Sequence, residues 1–446
     1  METKGKQTRL VDAAGDDLVA LLSPVAPQTF VNEYWGRKPL YVKGFREKYK
    51  GFFDGAAFIQ AVSTPSRVPG DFLRASFDKK TPAAKSAAGE PADLTQAFPI
   101  SAELAGPLFE AGATLCLTDI DTRVPRLAHF VAAIKRQLGY PGRVSFNAYL
   151  SAPGSGLNWH FDGRIASTLQ IEGSKKWRFS NRVAIEWPRG NGAHMTDGSA
   201  RYADSKTTPR AEWERLAPLD KNAVTEVVLE PGDLLILPAG TWHDASGGTS
   251  GSLALNLSFN PVSYTSLIGD LLDSLLARDP GWRSPKPLIA RQGGLPGEVD
   301  PRALEALKKQ LENAAETLGS LAADSSALVA LWSTFVQNDS PPIAIAKSAP
   351  SSAPIAPGDR FRVRADGNVY VQTAENGTKL SIAIGHTRTE AMGGAMYFVQ
   401  RAIAAREFAA SECFAWGVGE TRLTPVDVEQ VLAHLVNEGL LERVTR

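Results

Sequence analysis

Cysteine is nearly missing from this 446-residue chain, which has only Cys116 and Cys413, far apart. Two isolated cysteines build neither a disulfide framework nor a CxxC metal site, so a reducing compartment is expected. An excess of one charge is missing too: Lys and Arg number 48, and Asp and Glu number 48. That balance lacks the basic surplus with which an obligate nucleic-acid binder captures phosphate. No run reaches the roughly 18 apolar residues of a membrane span. The opening METKGKQTRL lacks the apolar core of a signal peptide. A cytoplasmic protein without membrane contact is expected. No internal repeat is visible. What is there is a globular composition, 43% hydrophobic and 22% charged, at a length that implies two or three domains.

Residues 11–60 carry helical periods with short breaks. Within VAPQTFVNEYWGRKPLYVKGF (25–45), Pro27 opens a short helix, Lys38 and Pro39 end it, and LYVKGF has strand composition. From about 115 to 260 short β-rich runs are divided by Gly and Pro: RVSFNAYLSAP, STLQIEGSKKWRFS, TEVVLEPGDLLILPAG and SLALNLSF. Many short strands with turn residues between them predict a sandwich or barrel. Polar, Gly-rich residues 187–222 interrupt this pattern as an insertion, either a functional lid or plain disorder. From 264 the period turns helical, with Leu267, Leu271, Leu272, Leu275 and Leu276 on one stripe that is core or a dimer face. Residues 340–358 are rich in Pro, Ala and Ser and form a linker. In the tail, Thr424 is an N-cap, Pro425 the first helical residue and Asp427 the third residue after the cap. Val428, Val431, Leu432 and Leu435 are its buried stripe, Gly439 ends the helix, and LLERV is a strand. Helix then wing-like strand predicts a winged helix over 359–446. Such folds often read DNA, but 10 Lys and Arg stand against 11 Asp and Glu there, which favours a protein contact.

NWHFDG (158–163) places two ionisable groups in a run with strand character. Residues i and i+2 of a strand share a face, so His160 and Asp162 project together while Trp159 and Phe161 turn away. The triplet alone is weak; a third group strengthens it. LEPGDLLILPAGTWHDA (229–245) holds a buried strand, a Pro-Ala-Gly corner and then His243. A histidine there sits at a barrel mouth, or merely caps a loop. Two histidines and a carboxylate are the facial triad of non-haem Fe(II) oxygenases, which leaves coordination positions open. In GSKKWRFS, Lys175, Trp177 and Phe179 share one face and Lys176 and Arg178 the other. A lysine aimed into an apolar interior requires an anion, and a bound dicarboxylate would serve. Asn147 with Tyr149, Asn256 with Ser258, and Thr168 are polar groups on alternating faces. They line a pocket, or else mark the solvated outside.

Together these stretches resemble the JmjC branch of the cupin superfamily, the Fe(II)- and 2-oxoglutarate-dependent oxygenases. The resemblance runs from about 25 to 262 through YWGRKPLYVKGF, NWHFD, LQIEGSKKWRF and LEPGDLLILPAGTWH, in the family's order. It implies a mainly β fold with added helices, a double-stranded β-helix of the jelly-roll, cupin type. It implies His160, Asp162 and His243 as iron ligands and Lys175 as the residue that binds the distal carboxylate of 2-oxoglutarate. Asn147, Tyr149, Thr168 and Asn256 fall at pocket positions. The layout is most similar to that of the ribosomal oxygenases: a catalytic domain (1–262, with the insertion), a helical homodimerisation region (263–339), the linker (340–358) and a winged-helix-like domain (359–446). Those relatives hydroxylate arginine or histidine side chains of ribosomal proteins, so the resemblance implies a protein hydroxylase that releases succinate and CO2. GRIAST, after Asp162, lacks an acidic residue that many relatives carry. That departure and the insertion leave open a peptide natural product or a small molecule as substrate. From another class, a cupin sensor joined to a DNA-binding winged helix is disfavoured by the tail's charge.

Nothing in the reaction requires a protein general base. Asp244 and Tyr149 are candidates to support the ligands from outside the coordination sphere. His129 and His434 read as structural histidines, His194 and Asp197 as solvated residues of the insertion, and Cys116 as a small buried hydrophobe. His386 has no context that raises it.

Overall fold

The computed structural model describes residues 8–13, 17–64, 72–77, 97–194, 199–202, 214–276, 280–283, 301–337, 354–364, 369–373, 379–384, 387–416 and 423–444. Asp197, His386, most of the linker and part of the insertion lie outside them.

Twelve strands join in one antiparallel sheet: β1 (Leu40–Val42), β2 (Leu73–Ser76), β3 (Phe98–Pro99), β4 (Thr114–Leu117), β5 (Val144–Ser151), β6 (Gly156–Phe161), β7 (Ile165–Val183), β8 (Gly192–His194), β9 (Ala200–Tyr202), β10 (Val224–Leu229), β11 (Leu234–Leu237) and β12 (Thr241–Phe259). β7 and β12 are each 19 residues long and pair with one another from Ile165↔Phe259 to Thr241↔Val183. Their outer neighbours change along the way. At one end β7 pairs with β11 and β12 with β5; at the other β7 pairs with β10 and β12 with β6. The register slips where partners change, between Gly247 and Ser252 and between Leu253 and Ala254. Bulges bend a strand and increase its twist, and here they fold one sheet into the two walls of a jelly roll. This is the double-stranded β-helix that the sequence predicts.

Alternation sets which face is which. Leu253, Leu255, Leu257 and Phe259 of β12 and Val144, Phe146 and Ala148 of β5 pack in the main core. Against them lies the helix Pro125–Leu138 with Leu127, Phe130, Val131 and Ile134 inward. Pro125 starts that helix and Gly139, at φ +60°, ends it, each residue suited to its end. Each such side chain contributes about 1.5–3 kcal/mol on burial. A one-residue slip of β12 would exchange Leu255 or Leu257 for Asn256 in this core, so the register is strongly held. The opposite faces of the same strands carry Asn147, Asn256 and Ser258, all buried. Those faces form the barrel interior.

The described part of the insertion contains two short strands. β8 pairs with β6 through His160↔Ala193 and Phe161↔Gly192, and β9 pairs with β8. Beyond β12 the described helices are Tyr264–Leu276, Pro280–Arg283, Pro301–Ala322 and Ser325–Gln337. Leu267 and Leu271 are buried, whereas Leu304, Leu307 and Leu311 lie exposed along one stripe of Pro301–Ala322. Trp332 Nε1 donates to the Gly139 carbonyl at 3.2 Å. The tail has two three-stranded sheets: β13 (Arg360–Val363), β17 (Glu407–Ala409) and β18 (Leu441–Val444), and β14 (Val369–Thr373), β15 (Lys379–Ile384) and β16 (Thr387–Met392). Three helices accompany them, Gly393–Ala405, Ala410–Trp416 and Pro425–Asn437. Thr424 and Asp427 make the reciprocal capping box of the last helix, and Val428, Leu432 and Leu435 are buried beneath it. No helix among the described residues is long and apolar enough to cross a membrane.

Candidate metal centre and its pocket

His160, Asp162 and His243 converge. One ligand atom from each lies within 4.8 Å of the others, the only such cluster of metal-ligating groups among the described residues. β6 supplies His160, the turn after it supplies Asp162, and β12 supplies His243, which is the register partner of His160. The Pro-Ala-Gly corner fixes the turn: the Gly240 amide, at φ +81°, donates to the Asp162 carbonyl at 2.8 Å. Trp242 then packs edge-on against Phe161 at 4.8 Å and donates Nε1 to the Ala217 carbonyl. Phe161 and Trp242 therefore anchor the outside of the wall that carries the ligands.

The residues fit a metal. His160 Nδ1 is 2.6 Å from the Asn158 carbonyl and His243 Nδ1 is 2.8 Å from the Thr241 carbonyl. A carbonyl oxygen only accepts, so each Nδ1 carries the proton and each Nε2 presents a lone pair. Burial raises the Asp162 carboxyl, but Arg164, His160 and His243 outweigh it and hold the group below its ordinary value. Burial first, and His160 second, push His243 down to about 4. Both effects keep the groups in the states that bind a cation, an ionised carboxylate and a neutral imidazole.

Lys175 lies in β7, opposite Gly247 of β12 and Leu229 of β10. It is buried, its Nζ 3.2 Å from Ser151 Oγ and 5.6 Å from the centre of the Tyr149 ring. No carboxylate pairs with it among the described residues, and burial lowers its amine to about 8. Thr168, Asn256 and Asn147 stand in one row across β7, β12 and β5. Gln170, Ala254, Tyr149 and Cys116 stand in the next. These rows are the barrel interior, and the sequence-predicted pocket residues all fall on them. Asn147 Oδ1 accepts from the Asp119 amide and Asn256 Oδ1 from Ser258, so both are held in place by the fold.

Asp244 is not a support for the ligands. It forms an ion pair with Arg178 on the outer face, and Arg178 in turn covers Trp159 at 5.2 Å. Period two sends residue 244 away from residue 243. Lys176, on the same outer face, pairs with Glu226. Cys116 is buried as expected, and burial raises its thiol to about 11, with Tyr149 opposing the rise. His129 is half-buried on the helix Pro125–Leu138, away from the ligand cluster. His434 meets Thr389 Oγ1 in the tail, and His194 lies near Trp242.

Three contributors escaped the sequence reading: Ser151, Gln170 and Arg164. Ser151 and Gln170 are buried polar residues at alternate strand positions, the same signal that marked Asn147. Arg164, two residues beyond Asp162, shows itself only through its place in the fold. With Gly163 it walls one end of a cleft of about 1100 Å³ that reaches Trp35, Tyr140, Trp187 and Trp332. The insertion shapes this cleft, since Asn191 Oδ1 accepts from the Gly163 amide at 2.9 Å.

A jelly roll with two histidines and an aspartate at one end of its barrel defines a class, and residues 123–267 match the JmjC domain family. The chain is 26% identical over 275 residues to the uncharacterized protein YxbC of Bacillus subtilis (strain 168), a match covering 60% of this chain and 77% of that one. It is 27% identical over 258 residues to ribosomal oxygenase 1 of Gallus gallus, covering 57% of this chain and 38% of the relative's length. In architecture it is similar to YcfD, a ribosomal oxygenase from Escherichia coli solved with cobalt and 2-oxoglutarate. That likeness has a TM-score of 0.52 at 17% identity and covers 95% of this chain and 99% of that one.

Proposed function

We propose that this protein is an Fe(II)- and 2-oxoglutarate-dependent dioxygenase that hydroxylates an amino-acid side chain of a protein substrate of the ribosomal type. The observation that carries the reading is one constellation. His160, Asp162 and His243 meet in one cluster, and Lys175 is buried four rungs along the β7–β12 ladder with no carboxylate partner among the described residues. Relatives named ribosomal oxygenase, and a structural neighbour bound to cobalt and 2-oxoglutarate, support it.

His160, Asp162 and His243 would hold the iron, and Lys175 would take the distal carboxylate of 2-oxoglutarate. Bound there, the iron and 2-oxoglutarate would supply O2 activation: one oxygen atom of O2 enters the substrate as C–OH, and the other enters succinate as 2-oxoglutarate loses CO2. The rest is done by the chain. Asn158 and Thr241 fix the two Nδ1 protons and with them the ring orientations. Ser151 and the Tyr149 ring hold the Lys175 ammonium on the interior side. Trp177 and Phe179 pack with Leu229, Leu235 and Leu237 and keep water from that wall. Thr168, Asn147 and Asn256 provide polar edges for a small polar guest. Substrate would reach the centre through the cleft beside Gly163.

The exposed leucines of Pro301–Ala322 support a homodimer through the helical region, and the tail, with balanced charge, supports a winged-helix-like domain that contacts protein. We place the protein in the cytoplasm. A second reading, a peptide product or small molecule as substrate, is favoured by the insertion's share of the cleft. The test is mass spectrometry of ribosomal proteins from cells with and without the enzyme. A side chain gaining one oxygen, and losing that gain in His160→Ala, is the expected result. Succinate formation without any modified protein would favour the second reading.

A further inference from the structure

Arg164 is a partly buried cation with no ion pair among the described residues. Its Nε is enclosed and makes no hydrogen bond, and no carboxylate among the described residues forms an ion pair with its guanidinium. The charge that supports it most is that of Asp162, and the other anions that reach it are committed elsewhere or are neutral. Asp119 is paired with Arg143 at 2.8 Å. Asp162 is gathered with His160 and His243. The Tyr149 hydroxyl and the Cys116 thiol are pushed above their ordinary values by burial and stay protonated near neutrality. A guanidinium kept from water is costly unless an anion meets it.

Filling the site sharpens the imbalance. Asp162 and one carboxylate of 2-oxoglutarate offset the two charges of a ferrous ion, and the other carboxylate offsets Lys175. Arg164 is left over. It lies on the wall of the cleft, where among the described lining residues Arg189 is the other charged group and none is acidic. The remaining walls include the aromatic and amide side chains of Trp35, Tyr140, Trp187 and Asn191, with the hydroxyls of Ser263, Thr265 and Ser266.

We propose that Arg164 binds a carboxylate of the substrate next to the hydroxylated carbon, so the segment that enters presents an acidic side chain rather than a basic one. The proposal rests on the oxygenase reading of the site and departs from the arginine or histidine targets that the resemblance implies. A planar guanidinium fits a carboxylate through two parallel hydrogen bonds, and the aromatic walls fit apolar neighbours of the acidic residue.

The test uses the full chain with Mn(II) and 2-oxoglutarate under anaerobic conditions. The probes are capped peptides Ac-Ala-Phe-Xaa-Phe-Ala-amide, with Xaa as Asp, Glu, Asn, Gln, Arg or His, and free N-acetylaspartate and N-acetylglutamate. Binding is read from tryptophan fluorescence and calorimetry. Acidic probes should bind about tenfold or more tighter than their amide counterparts, less so as salt rises. Arg164→Gln should erase that preference yet leave 2-oxoglutarate affinity within about twofold, because a lost partner acts on its own ligand. Should that variant fold poorly, Arg164→Lys keeps the charge but not the fork, and weaker acidic binding is expected there too. Binding of peptides alone places the carboxylate on a protein; binding of the free acids alone places it on a small molecule. Equal affinity for acid and amide, preference for Arg or His, or no binding of any acidic probe overturns the proposal. So does a loss of 2-oxoglutarate binding in Arg164→Gln as deep as in Lys175→Met, which would make Arg164 part of the cosubstrate site. If the wild-type protein binds no 2-oxoglutarate, the oxygenase reading itself falls, and the proposal with it.

Discussion

His160 and His243 face each other across β6 and β12 with ring centroids 4.2 Å apart, and each gives its Nδ1 proton to the carbonyl two residues earlier in its own strand. The backbone therefore sets both tautomers before any metal arrives. Preformed donors of this kind should bind a divalent ion without refolding. Adding Co(II) at about a hundred times its Kd should stabilise the wild type by about 2.7 kcal/mol, read as a rise in Tm. His160→Ala and His243→Ala should show no rise, and a chelator should return the wild type to its starting Tm. A wild-type Tm that ignores Co(II) would remove the metal assignment.

Lys175 makes a prediction of opposite signs. Burial lowers its amine from 10.5 to about 8, so the unfolded chain binds more protons between those values and stability rises with pH across that window. Below about pH 8 the cost of the buried charge is fully present, roughly 3 kcal/mol from the shift. Lys175→Met should therefore raise the Tm of the metal-free protein at pH 7, with the gain shrinking toward pH 10. The same variant should lose 2-oxoglutarate binding in calorimetry. A variant that is less stable at pH 7 would mean that Lys175 is satisfied by the fold itself.

Asp244 stands next to a metal-ligand position and should matter little. Its partner Arg178 is 44% exposed, and ion pairs in such positions contribute about 0–1 kcal/mol. Asp244→Asn should leave cobalt affinity unchanged by calorimetry and lower Tm only slightly. A tenfold or greater loss of affinity, on the order expected when a group orienting a ligand is removed, would restore it to the metal centre.

Asp121 is a buried carboxyl raised from 3.8 to about 6, by burial first, although the Phe146 amide donates to it at 2.7 Å and opposes the rise. The folded state then holds the proton longer than the unfolded one. Stability should fall as pH rises from about 4 to 6 and stay lower above that. Asp121→Asn keeps an acceptor for Phe146 and removes the charge, so it should flatten this dependence and add roughly 2–3 kcal/mol above pH 6. Denaturant unfolding at pH 4 and pH 7 would check it: equal differences at both pH values would be the wrong outcome.

Much of the centre was legible because strands impose a period of two. Asp162 had to join His160, and a corner after a buried strand had to bring His243 to the barrel end. The same period, applied strictly, would have sent Asp244 to the outer face; proximity in sequence suggested otherwise and was misleading. Arg164 was not legible, because one arginine in GRIAST carries no pattern and its place on the cleft wall is a tertiary fact. β8 and β9 were too short to signal themselves, and their pairing depends on the free edge of β6, a tertiary fact. In the tail, Thr424 and Asp427 were readable because a capping box is local chemistry, complete within four residues.

The two 19-residue strands have a further consequence. His243 pairs with Phe179 and Lys175 with Gly247, so the metal end and the lysine are four rungs apart on the same ladder. The separation between the proposed iron site and the proposed anchor of 2-oxoglutarate would thus be a count of residues, not a matter of loop posture. Length selection among keto acids would be written into the backbone itself. One residue inserted in β7 between Phe179 and Lys175 would both move the anchor and turn it outward, changing which acid fits before any side chain in the pocket changed.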